Sequence, residues 1–170
     1  MCRVSLLLLG CLVLGLAGCA GYRVGPTNGV VAGARSIQVN PFRNETHEPR
    51  LIEPVVSALR RTLQQDGTYR LNTSGQGDII ISGVLVRYER EGVSFQPNDI
   101  LSVRDFKVRL IARVTAMERS TGKMLLDREV AGQTTLRLGA DLGNTERQAV
   151  PLLAQDLAQN TVSLLVDGLW

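Results

Sequence analysis

Few side chains in this 170-residue chain have the chemistry for catalysis. His47 is its one imidazole, set in the polar stretch Phe42 to Pro49 between Glu45 and Glu48. A general base works on a nucleophile or a substrate proton, and no Ser or Cys in a nucleophile motif accompanies it. His47 therefore reads as a solvated loop residue. Asp127 and Glu129 place two carboxylates on one strand face, where Arg109 and Arg113 of the preceding strand would balance them. Gly75-Gln76-Gly77 and the Gly139 to Gly143 spacing lack the Lys-Ser/Thr of a phosphate loop and read as turn glycines. With one histidine and three cysteines, two of them in the first eleven residues, no Cys/His zinc set can be assembled. No catalytic or metal-binding residue is assigned, and the expectation is a protein that is not an enzyme.

The residues suited to binding lie in two stretches. Gly92 to Leu101 reads as a loop between strands that exposes Val93, Phe95, Ile100 and Leu101. Thr134 to Leu142 reads as a second loop, carrying Leu136 and Leu138. Arg104, Lys107 and Arg137 supply cations beside them, which suits a partner protein or an anionic amphiphile. The competing reading is that both loops fold back and cover core.

The elements that must hold these stretches follow from hydrophobic period. Ser36 to Asn40 alternates as a short strand closed by Pro41. Ile52, Val55, Val56, Leu59 and Leu63 form one helical stripe, with Pro54 in the first turn and Gly67 at the C-terminal end. A short strand follows over Tyr69 to Asn72. From Asp78 the period becomes two, with Ile80, Ser82, Val84, Val86 and Tyr88 on one face and Ile79, Ile81, Gly83, Leu85 and Arg87 on the other. Phe106, Val108, Leu110, Ala112 and Val114 mark the next strand. Arg119 to Lys123 is a turn, and a return strand runs from Met124 to about Leu138. Val150, Leu153, Ala154, Leu157, Thr161, Leu164 and Leu165 make a second helical stripe. Thr145 and Gln148 fit a capping box, so Pro151 predicts a kink or a main helix starting there. The order is that of an α+β two-layer sandwich, with two helices packed on one face of a mixed four- to five-stranded sheet.

The N-terminus has a different character. Arg3 precedes an apolar, leucine-rich run that ends in Leu16-Ala17-Gly18-Cys19, the layout of a secretory signal peptide. The run falls short of the roughly 20 residues that span a bilayer and is interrupted by glycines. Leu-Ala-Gly-Cys resembles the lipobox of bacterial lipoproteins, which implies cleavage before Cys19 and acylation of it. Residues 1–18 are then the signal peptide, 19–35 the lipidated Cys and a glycine-rich tether of about 20 Å, and 36–170 a single α+β domain. Cys2 and Cys11 leave with the signal, so no disulfide forms within the mature chain and the covalent lipid on Cys19 is its one attached group, with no cofactor. Asn44-Glu45-Thr46 matches a glycosylation sequon that a bacterial lipoprotein would not use. The formal charge of +3 falls to +2 once Arg3 is removed, too little to indicate nucleic-acid binding.

Taken together, Ser36-Ile-Gln-Val-Asn-Pro-Phe-Arg-Asn-Glu-Thr-His-Glu-Pro49, the leucine-rich helix, Asp78-Ile-Ile-Ile-Ser-Gly-Val-Leu-Val-Arg-Tyr88, Thr121-Gly-Lys-Met-Leu-Leu126, Gly18-Cys-Ala-Gly-Tyr22 and the Ala/Leu-rich last helix resemble the LptE family of lipopolysaccharide-assembly lipoproteins. The resemblance implies an outer-membrane lipoprotein on the periplasmic face of a Gram-negative bacterium, plugging the β-barrel LptD and assisting insertion of lipopolysaccharide into the outer leaflet. It also implies lipopolysaccharide contacts by basic residues near one end of the sheet, for which Arg104, Lys107 and Arg137 are the positions in comparable places. Ala20 after the anchor is consistent with sorting to the outer membrane. A lipid-anchored adaptor or carrier of another envelope secretion or efflux machine is the alternative.

Overall fold

Alternating apolar side chains on four stretches of chain build a mixed sheet, and two amphipathic helices cover one of its faces. The computed structural model describes residues 31–96, 99–137 and 142–167, and the side chains of 95, 96, 99–104 and 142–146 fall outside it. Cys19, Leu138 and the side chains of Phe95, Ile100, Leu101 and Arg104 thus lie outside the described residues.

The elements in order are β1 (Ser36–Val39), β2 (Arg43–Asn44), α1 (Ile52–Asp66), β3 (Arg70–Leu71), β4 (Ile79–Gln96), β5 (Asp99–Glu118), β6 (Met124–Arg137) and α2 (Leu142–Val166). The sheet runs β3-β1-β4-β5-β6, with the two-residue β2 also paired to β4. β1 is parallel to both β3 and β4, whereas β4, β5 and β6 form an antiparallel meander. The sheet therefore has six strands, one more than expected. β2 was read as loop because two residues display no period.

Both helices begin at the same end and run side by side. Pro54 and Pro151 line one groove between them, and Asp66 and Val166 line another further along. Val55, Val56, Leu59 and Leu63 of α1 are buried, as its stripe requires. Gly67 closes α1 at φ +75, its N–H donating to the Leu63 carbonyl at 3.2 Å. α2 extends nine residues before Pro151 instead of starting there. Proline has no N–H to give to the Arg147 carbonyl, so packing must compensate. Ala149, Leu153, Leu157 and Leu165 are all buried against the sheet. Gly132 on β6 makes that approach possible: a Cβ there would stand 2.6 Å from the Leu153 carbonyl oxygen and from the Leu157 nitrogen.

Three further differences from the sequence reading shape the site. Val86 is a bulge, since Leu85 faces Ala112 while Arg87 faces Ile111. One extra residue reverses the alternation. Ile79, Ile81, Gly83 and Leu85 face the helices before it, and Tyr88, Arg90 and Gly92 share that face after it, so Tyr88 parts company with Ile80, Ser82 and Val84. Secondly, Gly92 to Leu101 is strand for most of its length, because β4 and β5 pair almost to their turn. The third is that Thr134 to Arg137 belongs to the return strand expected from Met124 to about Leu138 and not to a loop.

Candidate functional site

The chain enters the sheet at one end, and Val93, Lys107 and Arg137 lie toward the other. Gly33 N–H donates to the Thr68 carbonyl at 3.0 Å, and Arg35 pairs with Glu118, so the chain is fixed to the domain from residue 33 onward. Ser36 N–H and hydroxyl both donate to Asp78 Oδ2 at 2.7 Å, and Asp78 N–H donates back to Ser36 Oγ at 3.0 Å. These bonds hold the Asp78 carboxyl below its usual range. From Glu118, β5 runs 20 residues. At about 3.3 Å per residue that is a path of about 60 Å to the far turn.

The sheet face turned away from the helices is a ladder of charged rows. Arg137, Asp105 and Ser94 stand opposite one another across β6, β5 and β4 at the far end, then Thr135, Lys107 and Glu91, then Gln133, Arg109 and Glu89. Ile111 lies in the next row beneath this polar cover, 8% exposed between Ala131 and Arg87. Arg113 then grips Asp127 with two bonds, Nε to Oδ1 at 3.0 Å and Nη2 to Oδ2 at 3.2 Å. That fork lowers the Asp127 carboxyl and raises the Arg113 guanidinium. Glu129 bonds Arg87 of β4 at 3.2 Å, so the expected partner Arg109 is not the one used. The bulge at Val86 is the reason, because it turns Arg87 onto this face.

Of the three cations expected to act together, two are on neighbouring rows of one face. Lys107 is half-buried and makes no ion pair among the described residues. Arg137 is exposed and donates through Nε to Asp105 Oδ1 at 3.1 Å, while Ser94 Oγ bonds the other carboxylate oxygen. Asp105 thereby holds Arg137 at the mouth of the ladder. Val93 sits at a second register shift and is 48% exposed. Leu136 faces the helices opposite Phe106 and is 7% exposed, a core position in this structure.

His47 is exposed beside Glu48, Tyr88 and Arg90, with no serine or cysteine on that surface. The sequon-like Asn44-Glu45-Thr46 has a structural task. Thr46 N–H and hydroxyl donate to Asn44 Oδ1 at 3.0 and 2.7 Å, and Asn44 Nδ2 donates to the Glu48 carbonyl at 2.8 Å. This side-chain turn fixes the path into Pro49 and α1. The position of Tyr88 went unrecognised in the sequence, although a strict alternation beyond Leu85 would have buried Arg87 and exposed the tyrosine. That conflict was the available signal for a bulge. Among the described residues no group of His, Cys, Asp and Glu is placed to hold a metal ion.

A two-helix, mixed-sheet sandwich with a long antiparallel meander defines a class of small α+β domain. Three solved structures share it: a Xanthomonas campestris protein (TM-score 0.59, 10% identity, 86% of this chain and 93% of that one), a Chlamydia trachomatis protein (0.57, 10%, 81% and 98%) and a minor lipoprotein of Acinetobacter baumannii (0.53, 13%, 78% and 92%). At these identities the likeness is one of fold. Residues 34–165 match the family described as LptE, lipopolysaccharide-assembly. The chain belongs to the LptE family. No curated protein sequence matches it.

Proposed function

We propose that this protein is a lipid-anchored, non-catalytic member of the lipopolysaccharide-assembly machinery. In this reading, residues 1–18 are removed, Cys19 carries the acyl chains, and the domain plugs an LptD-like barrel in the outer membrane from the periplasmic face. Membership of the LptE family across the whole domain supports the role. The observation that carries the plug is the open face, where five basic and five acidic side chains stand in rows from Arg137 to Asp127 and the exposed apolar side chains Met117 and Met124 are confined to the row of Ile80 at the entry end. The lumen of an outer-membrane barrel is polar and wet, so a charge-balanced face suits it, while a lipid-facing surface would be apolar.

Lys107 and Arg137 are the proposed lipopolysaccharide contacts, with Arg104 as a third. A guanidinium presents a planar fork to a phosphate, and the half-buried ammonium adds a point charge one row away. Val93, Phe95, Ile100 and Leu101 are the proposed contacts to the barrel. The lipid chains anchor the protein without help from this surface, at about 0.8 kcal/mol per buried methylene.

Capture of the Cys19-anchored protein from detergent-solubilised membranes tests the reading. An LptD-like barrel is expected to co-purify, and the Lys107→Gln/Arg137→Gln double variant should retain the barrel while binding lipopolysaccharide at least about tenfold more weakly, as loss of one to two charged hydrogen bonds implies. Recovery of another envelope machine in place of the barrel overturns it.

A further inference from the structure

Five large apolar side chains stand exposed among the described residues, and three of them, Val31, Met117 and Met124, lie at the end where the chain enters the sheet. Met117 and Met124 face each other across β5 and β6, 37% and 49% exposed, and Ile80 of β4 and Gln38 of β1 complete their row. Val31 stands out from the turn that the Ala34 N–H closes on the Val31 carbonyl at 3.1 Å, just before β1. The chain has three methionines, and Met1 belongs to the signal segment, so both that remain share this one row. Methionine ordinarily fills gaps inside a core. Here the pair is turned outward, and the charged rows begin beyond it at Asp127.

The charges left over around the row are positive. Arg119 donates only to neutral acceptors, the Gly75 and Gly77 carbonyls and Gln38 Oε1, so its charge is not cancelled. Lys123, next to Met124 in the turn, is exposed and makes no ion pair among the described residues. Of the carboxylates at this end, Glu118 is paired with Arg35, and Asp78 is bonded by Ser36 with Arg35 and Arg70 close by. Asp66 and Asp167 line a groove at the ends of the helices, in the other layer.

The chain that precedes the sheet says what this end meets. Gly33 is fixed to Thr68, and 14 residues separate it from Cys19. A glycine-rich stretch of that length spans about 20 Å, against a strand path of about 60 Å to the far turn. With Cys19 acylated, the entry end is the end kept at the bilayer. Apolar side chains beside uncancelled cations suit the headgroup layer of an anionic membrane, whereas a polar barrel lumen has no use for the methionines. We infer that, in the protein not yet joined to a barrel, the entry end rests on the phospholipid surface, with Met117 and Met124 at the acyl boundary and Lys123 and Arg119 at the phosphates. The inference rests on the reading of Cys19 as the lipid anchor, and it leaves the far end directed away from the membrane.

The test places the mature chain in nanodiscs of phosphatidylethanolamine and phosphatidylglycerol, with no lipopolysaccharide and no barrel. Methyl NMR signals of the methionines, Ile80 and Val93 are compared with and without a lipid spin-labelled on its acyl chain. The expected result is at least about a twofold loss of intensity at both methionine methyls and none at Val93, which is equally exposed at the far end. The loss should be smaller in Lys123→Gln, or when phosphatidylcholine replaces phosphatidylglycerol. In Met117→Gln/Met124→Gln, where both changes are at exposed positions, the loss at Ile80 should also diminish. Unaffected methionine methyls overturn the inference, as does equal loss at Val93, which would mean no fixed orientation. Loss that disappears when each disc holds one copy overturns it in favour of pairing between two copies. Cys19 is the one cysteine of the mature chain, so mass spectrometry reads its acylation separately. Should the acyl chains be absent, the anchor reading fails, and coupling the Cys19 thiol to a maleimide lipid in the same discs still decides the contact.

Discussion

The two ends of the β4–β5 hairpin are made of the same strands and do opposite things. At the end where the chain enters, six strands are paired and both helices lie over them. Arg119 alone ties three segments there, donating to Gly77 O at 2.8 Å, Gln38 Oε1 at 2.8 Å and Gly75 O at 2.9 Å. At the far end only β4, β5 and β6 remain, and the face away from the helices carries charged side chains while Leu136 and Val108 keep the other face in the core. Packing is concentrated where residues 33–36 enter the sheet, and the far end carries the smaller share of it. Binding surfaces drawn from the less densely packed part of a fold follow the general pattern.

The largest expected effect tests that asymmetry directly. Ile81 is fully buried in the entry half, and Ile81→Ala should cost about 2–5 kcal/mol in urea unfolding of the full chain. Val93→Ala at the far end, where the side chain is half exposed, should stay within about 0.5 kcal/mol. Comparable losses at the two positions would break the comparison.

The same asymmetry governed what could be read from the sequence. In the entry half the periods are long and uninterrupted, and the stripe from Ile52 to Leu63, the Gly67 stop and the Gly122 turn at φ +71 all appear where they were expected. The far half depends on contacts distant in the chain. Whether Arg87 or Tyr88 faces the helices is decided by what α1 and α2 leave uncovered, which local alternation does not contain. Gly92 to Leu101, interrupted by glycine and proline, resembles a loop, yet ladder pairing with the opposite strand carries it almost to the turn. α2 passes through Pro151 because Gly132 lets it settle onto β6, a fit between residues far apart in sequence. The basic positions were legible, and Lys107 and Arg137 do share a face. The Asp105 that holds Arg137 was not, because that pair is set by register across two strands.

A second test sharpens the entry half. The Asp78 carboxyl is held below its ordinary range by its Ser36 bonds, so its contribution to stability is present at neutral pH, above the unfolded-state value. It is lost as pH falls through the lowered folded-state value. Asp78→Asn should therefore be less stable than the parent at pH 7, with the gap closing on acidification. A gap that persists unchanged at acid pH would mean that the ionised carboxylate is not what secures the chain there.

The smallest effect is expected on the open face. Arg87 bonds Glu129 at 3.2 Å and lies 3.4 Å from Glu89, and all three side chains are about half exposed. Arg87→Gln should lower stability by about 0.2–1 kcal/mol at low salt, and less as salt is raised, because exposed pairs are screened. A loss of several kcal/mol would mean that the ladder is a structural network, and the division between the two ends would then be one of position only. A small, salt-sensitive loss leaves the rows free to exchange intramolecular partners for those of a polar lumen. The charge balance of the face, more than any single pair in it, would then be what suits the domain to the proposed barrel.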